Sequence, residues 1–198
     1  MAALELPIRV VGLIPTVENM PSGKAYRPGD VLKAMTGKTI EVISTDAEGR
    51  LILADALAYA RRYEPQAVVD MATLTGACIV ALGHVASALL CNDDALAAQL
   101  EQAAAASGEK TWRLPLWDEY GPQIKSDVAD IKNSGGREAG TIIGGIFLQH
   151  FVDYPWAHLD IAGMAWTDKT EGWQVKGGAG YGVRLVTEWL RQRAAAQG

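Results

Sequence analysis

The sequence predicts an α/β fold, a parallel-rich or mixed sheet with helices on both faces in an α/β/α sandwich. Val- and Ile-rich runs alternate with Ala- and Leu-rich stretches along the whole chain. No internal repeat or low-complexity linker interrupts the 198 residues, so one domain is expected. With 49% hydrophobic and 21% charged residues, the chain has enough apolar material to bury a layered core.

Residues 8–14, rich in Val and Ile, read as a buried strand. Residues 17–30 contain Pro21, Ser22, Gly23, Pro28 and Gly29 and read as a loop. Residues 40–44 read as the next strand. Residues 51–63 are helical by composition and stop before Pro65. Residues 67–72 read as a strand, and 94–107 as an Ala-rich helix capped by Asp93 or Asp94. Residues 140–151 read as a buried helix and 157–161 as a strand. Residues 183–196 read as an amphipathic helix with Arg191 and Arg193 near its end, where cations suit the helix dipole.

The composition excludes several functions. A net charge of −5 and a pI near 5.2, with no basic stripe, argue against a nucleic-acid partner. The stretch 71–92 holds no Asp, Glu, Lys or Arg, but Thr73, Thr75, Gly76, Gly83, His84 and Ser87 break it, so no membrane span is expected. Residues 1–7 show no secretory leader. Cys78 and Cys91 lie in apolar surroundings without metal spacing, and a reduced, buried pair fits a cytoplasmic protein. His84, His150 and His158 stand outside any H-E-x-x-H frame and are expected to be structural or surface residues. Asp127, Asp130 and Asp160 read as structural carboxylates, and the six Trp as core or oligomer-contact residues. The Gly-rich stretches 134–136 and 176–180 lack P-loop spacing and read as turns. No Gly-x-Ser-x-Gly elbow supports serine hydrolase chemistry.

One segment stands apart. Ser44-Thr45-Asp46-Ala47-Glu48-Gly49-Arg50 packs two carboxylates and a guanidinium between an expected strand and an expected helix. Carboxylates two positions apart at a strand end can share a divalent cation, and Arg50 can hold an anion beside it. Thr45 and Glu48 also fit a helix capping box, and Arg50 fits a plain salt bridge. In parallel sheets ligands bind beyond the carboxyl ends of the strands. Asp46 and Glu48 follow one expected strand, and Thr73, Leu74 and Gly76 the next, so the two segments are expected side by side at one sheet edge. Gly76 alternatively marks a tight backbone position at a turn.

Residues 44–57 resemble the signature of the leucyl aminopeptidase family, two-metal exopeptidases, whose usual form is N-T-D-A-E-G-R-L; Ser44 replaces the Asn. The resemblance continues through Asp70-Met71-Ala72-Thr73-Leu74-Thr75-Gly76-Ala77 and Ile124-Lys125-Ser126-Asp127-Val128-Ala129-Asp130 with Asn133, Gly135 and Gly136. It extends through Pro155-Trp156-Ala157-His158-Leu159-Asp160-Ile161-Ala162-Gly163 and Gly178-Ala179-Gly180-Tyr181-Gly182-Val183-Arg184-Leu185, so it spans nearly the whole chain.

The resemblance implies release of N-terminal residues from peptide substrates. It implies Asp46 and Glu48 as ligands of two divalent metal ions, zinc or manganese with magnesium a further candidate. It implies Arg50 as the catalytic arginine, binding bicarbonate or steadying the tetrahedral oxygens, and Thr73, Leu74 and Gly76 as substrate-site residues. A homo-hexamer is the implied assembly. Ser44 is shorter than Asn and loses an amide donor, which bears on substrate affinity or metal-shell geometry. The family's remaining ligands, a lysine and two aspartates, come from segments upstream of this motif, and nothing like K-G-x-x-x-D-S-G-G occurs before Asp46. Residues 1–198 thus read as the C-terminal portion of the catalytic domain, with the N-terminal domain and upstream ligand segment absent. A second reading is a catalytically inactive fragment serving as a folding or assembly unit. A third, a DNA-binding regulator, is opposed by the acidic balance.

Overall fold

The computed structural model describes residues 2–172 and 174–196; Met1, Trp173 and residues 197–198 fall outside the description. A four-stranded sheet carries the fold. It holds β3 (Val68–Ala72), β4 (Ser87–Cys91), β5 (Thr111–Arg113) and β7 (Trp156–Asp160) in the order β3-β7-β4-β5. β3 runs parallel to β7 and β4 parallel to β5, while β4 opposes β7, so the sheet is mixed. A three-stranded sheet joins β1 (Val31–Lys33), β2 (Thr39–Glu41) and β6 (Ile131–Lys132), with β2 at its centre. A short hairpin pairs β8 (Trp166–Thr167) with β9 (Gly177–Gly178).

Five helices cover both faces of the main sheet: α1 (Glu48–Ala60), α2 (Gly76–Leu82), α3 (Asp94–Ser107), α4 (Gly140–Gln149) and α5 (Val183–Ala195). Strand alternation divides the core. On β7, Trp156 joins Leu53, Leu57, Ile143 and Phe147 under α1 and α4. Ala157 and Leu159 point the other way, to Leu96, Leu100, Leu185 and Trp189 of α3 and α5. Ala88 and Leu90 of β4 meet Cys78 of α2 on the first face. The expected helices on both faces are present.

α3 starts where expected because Asp93 Oδ1 accepts from Leu96 N at 2.7 Å, and it ends at Gly108, whose φ is 73°. The cysteines are free and buried. Among the described residues no helix is long and apolar enough to cross a membrane. The uncharged run 71–92 divides into the end of β3, α2 and β4. Trp156 and Trp189 are buried, whereas Trp112, Trp117 and Trp166 are exposed.

Residues 8–14 correct the sequence reading, because they form no strand. Val10, Val11 and Ile14 are exposed, and Pro7, Gly12 and Pro15 punctuate the run. β-propensity describes fit to a pleated, half-buried surface, and here no ladder partner supplies one. The segment instead forms one wall of a cleft of about 800 Å³ whose other walls are α1, β3 and α5. The capping box is also corrected. The residue preceding α1 is Ala47, and no side chain caps that end.

Candidate active site

Asp46 and Glu48 reach the surface on the corner between β2 and α1. That corner is built by a side chain 90 residues away: Asn133, fully buried, accepts at Oδ1 from Ile43 N at 2.8 Å and from Ser44 N at 3.2 Å. Its Nδ2 donates to Ser44 O at 2.7 Å, and its own N–H donates to Glu41 O at 2.9 Å, extending the β2–β6 ladder. Two further donors, Asn19 Nδ2 at 3.2 Å and Tyr26 Oη at 3.1 Å, hold Thr45 O. With the main chain tied on both sides, Asp46 stands exposed and Glu48 half-buried. Neither has a hydrogen-bond or ion-pair partner among the described residues. Burial, and then the Glu48 charge, push the Tyr26 phenol up from its ordinary pKa, so Glu48 lies beside the ring that braces the corner.

Arg50 lies in the first turn of α1 and is 8% exposed. Among the described residues it forms no salt bridge, contrary to one sequence reading. Its Nη1 donates to Asn133 O at 3.0 Å, and Nε has no partner among the described residues. Burial lowers its pKa from the ordinary arginine value, opposed by the charge of Asp160. A guanidinium offers five donors, so a buried one whose acceptor among the described residues is a neutral carbonyl is suited to receive an anion.

The second segment follows β3. Thr73 is exposed and Leu74 half-buried, and Gly76 opens α2. Leu74 N donates to Asp160 Oδ1 at 3.2 Å, and Thr75 Oγ1 donates to Asp160 Oδ2 at 2.6 Å. A Cβ placed on Gly76 would meet nothing within 4 Å, so the fold itself does not demand glycine there. The tight-position reading of Gly76 is therefore set aside.

The two segments do not share a sheet edge, because β2 belongs to the smaller sheet and β3 to the larger. Helix α4 brings them together instead. A Cβ on Gly144 would lie 3.2 Å from Leu74 Cδ2, 3.4 Å from Thr75 Cγ2 and 3.8 Å from Arg50 Nη2. A Cβ on Gly49 would lie 3.5 Å from Leu74 Cδ1, and one on Gly140 would press to 2.8 Å from Ala77 Cβ. Small residues at 140 and 144, one helical turn apart, let α4 approach α2 and the Arg50 side chain. Leu74 and Thr75 thus meet Arg50 across Gly144, and Leu74 meets Gly49 at the start of α1, while Asp46 and Glu48 lie in the adjoining chain before Arg50. The large cleft beside residues 7–15 touches this region at Gly49 and is not lined by Asp46, Glu48 or Arg50.

Behind the site runs a buried polar network absent from the sequence expectations except as isolated residues. His158 Nδ1 lies 2.6 Å from Asp70 Oδ1, and Trp156 Nε1 donates to Asp70 Oδ2 at 2.7 Å. Burial works against the charged imidazole, but Asp70, aided by Asp160, outweighs it, so the His158 pKa rises above the ordinary histidine value. This histidine is structural, as expected. Asp130 is also structural, accepting from Thr39 N and Oγ1 at 2.7 Å each.

The chain is similar over nearly all its length to proteins of known family. The model of the cytosol aminopeptidase family, catalytic domain, matches residues 1–187. A probable cytosol aminopeptidase of Syntrophotalea carbinolica is 59% identical over 192 residues, covering 96% of this chain and 39% of the relative. One from Geobacter sulfurreducens is 57% identical, with the same coverage. The chain therefore spans about two fifths of the length of these curated relatives. Among solved structures, a mutant of tomato leucine aminopeptidase superposes with a TM-score of 0.84 at 47% identity, over 88% of this chain and 34% of that one. The bottromycin maturation enzyme BotP in complex with Mn gives 0.85 at 43% identity, over 89% and 40%. With a family match across nearly all its length, this chain belongs to the cytosol aminopeptidase family.

Proposed function

We propose that this chain is the C-terminal portion of a metallo-aminopeptidase catalytic domain that releases N-terminal residues from peptides. One observation supports the reading most strongly. A buried Arg50, bonded to a neutral carbonyl, flanks Gly144 together with the Leu74 loop, and the unpartnered Asp46 and Glu48 precede it in the same turn of chain. Asp46 and Glu48 fit a divalent cation in kind, being hard oxygen donors on one surface corner. They do not fit it in number, since no group of three or more His, Cys, Asp or Glu that could hold a metal occurs among the described residues. The remaining ligands must come from outside the described residues, and zinc or manganese, with magnesium third, are the candidate ions. BotP in complex with Mn favours manganese as the first ion to test.

When bound, such an ion polarises a carbonyl and acidifies water. The chain's own residues bind and orient the peptide. Main-chain groups of Thr73, Leu74 and Gly76 orient the peptide beside Arg50. The Arg50 guanidinium, poorly solvated and short of partners, holds bicarbonate or the developing oxyanion, where its charge acts at low dielectric. Ser44 presents a hydroxyl where the family's usual residue presents an amide, and its main chain is already taken by Asn133. A hexamer in the cytoplasm is the proposed setting, checked by the mass of the purified particle.

Hydrolysis of leucine p-nitroanilide, with and without Mn²⁺, tests the proposal. Metal-dependent turnover that disappears in Asp46→Ala is the expected result. The shortage of ligands favours one alternative, an inactive folding or assembly unit. That reading gains if neither turnover nor Mn²⁺ binding is seen with the 198-residue chain.

A further inference from the structure

Asp160 is a fully buried carboxylate with no ion pair within salt-bridge distance among the described residues. An isolated buried charge is costly, so its neighbours should show what it is for. The β3–β7 register places it opposite Ala72, at the point where β3 stops and residues 73–76 begin. Oδ1 accepts from Leu74 N and from Ala162 N, each at 3.2 Å. Oδ2 accepts the Thr75 hydroxyl at 2.6 Å.

That hydroxyl has one proton and gives it to Asp160. Its lone pairs must therefore receive Cys78 N at 3.2 Å and the Thr141 hydroxyl at 2.9 Å. Asp160 thereby sets the direction of the Thr141–Thr75 bond, which joins α4 to the hydroxyl that caps α2. A neutral acceptor would serve a simple turn. The charge has a second effect, since it is the group that favours the ionised form of Arg50 against burial.

We propose that Asp160 is the positioning residue of the substrate loop, its carboxylate fixing the main-chain groups of residues 73–76 against the Arg50 guanidinium. The proposal rests on the peptidase reading given above. Asp160 touches no substrate in this scheme and acts through Leu74 and Thr75. The Asp46–Glu48 corner is held by a different side chain, Asn133.

The test uses Mn²⁺-loaded enzyme active on leucine p-nitroanilide, with two readouts: kinetic constants at saturating Mn²⁺, and amide hydrogen exchange over residues 44–50 and 73–78. For Asp160→Ala, KM should rise about tenfold or more with kcat within about threefold, the pattern of lost uniform binding. Exchange at 73–78 should accelerate by about tenfold or more while 44–50 stays unchanged. Asp160→Asn, which keeps the acceptor for Leu74 N, should recover much of both. If Asp160→Ala does not fold, Thr75→Val takes its place with the same expected pattern, and Thr75→Ser should behave as the unmodified enzyme. An unchanged KM or an unchanged exchange rate at 73–78 in a folded variant overturns the proposal. So does a fall in kcat alone. If the unmodified protein lacks turnover, the peptidase reading fails and takes the substrate role with it, while the exchange data alone decide whether Asp160 holds the loop.

Discussion

Two loops reach the candidate site, one after β2 and one after β3, and in each a buried polar side chain from a distant segment makes most of the ties. The first loop displays carboxylates, and its tie is the neutral amide of Asn133. The second displays main-chain groups, and its tie is the charged carboxylate of Asp160. The difference follows from what each loop presents. An amide both donates and accepts, so it can satisfy an N–H and a C=O without adding charge beside Asp46 and Glu48. A carboxylate only accepts, but accepts more strongly, and suits a loop offering an N–H and a hydroxyl. Arg50, anchored on the Asn133 carbonyl and attracted by Asp160, is the element common to both.

Removing the neutral tie should have the largest effect. Asn133→Ala deletes three hydrogen bonds and leaves the main-chain groups of Ile43 and Ser44 without that partner. A loss of about 2–4 kcal/mol is expected in urea unfolding, along with weaker Mn²⁺ activation. Removing the hydroxyl on the other side should cost less. Thr75→Val sacrifices the α2 cap and one bond to Asp160, about 1–2 kcal/mol by the same measurement.

A pH titration sharpens the comparison further, because only the second loop is backed by a histidine. His158 faces Asp70, with Asp160 and Arg50 the other charges acting on it. Its folded pKa is raised, so its stabilisation is complete below about pH 6.5 and is lost as pH climbs through the folded value. Unfolding midpoints should fall across that interval, and His158→Gln should flatten the slope. The smallest effect is expected from Asn19→Ala. It removes one of two donors to Thr45 O at an exposed position, and a change under about 0.5 kcal/mol is expected.

Much of this architecture was legible in the sequence, for reasons that vary by element. α3 announced itself through its Ala-rich run and the cap signal at Asp93 or Asp94, and α4 through a largely apolar run. α2 and β4 stayed hidden because the run 71–92 has no charged residue to mark their boundaries, although Thr75 is a usable cap signal. β1, β5, β6, β8 and β9 span two or three residues, too few to show a period. Residues 8–14 misled because strand propensity cannot report whether a ladder partner exists.

At the candidate site, spacing and family resemblance single out Asp46, Glu48 and Arg50. A shared sheet edge was expected to join them to Leu74, whereas Arg50 and Leu74 meet across Gly144 of α4. Asn133 and Asp160 could not be given their roles, since their partners lie 90 and 86 residues away.

The most direct test measures Mn²⁺ activation and substrate KM together in Asn133→Ala and Asp160→Ala. The account predicts opposite outcomes: the first variant needs more Mn²⁺ while its KM holds, and the second keeps its Mn²⁺ requirement while its KM rises. Equal damage to both quantities in both variants would contradict a site assembled from two separately tied loops.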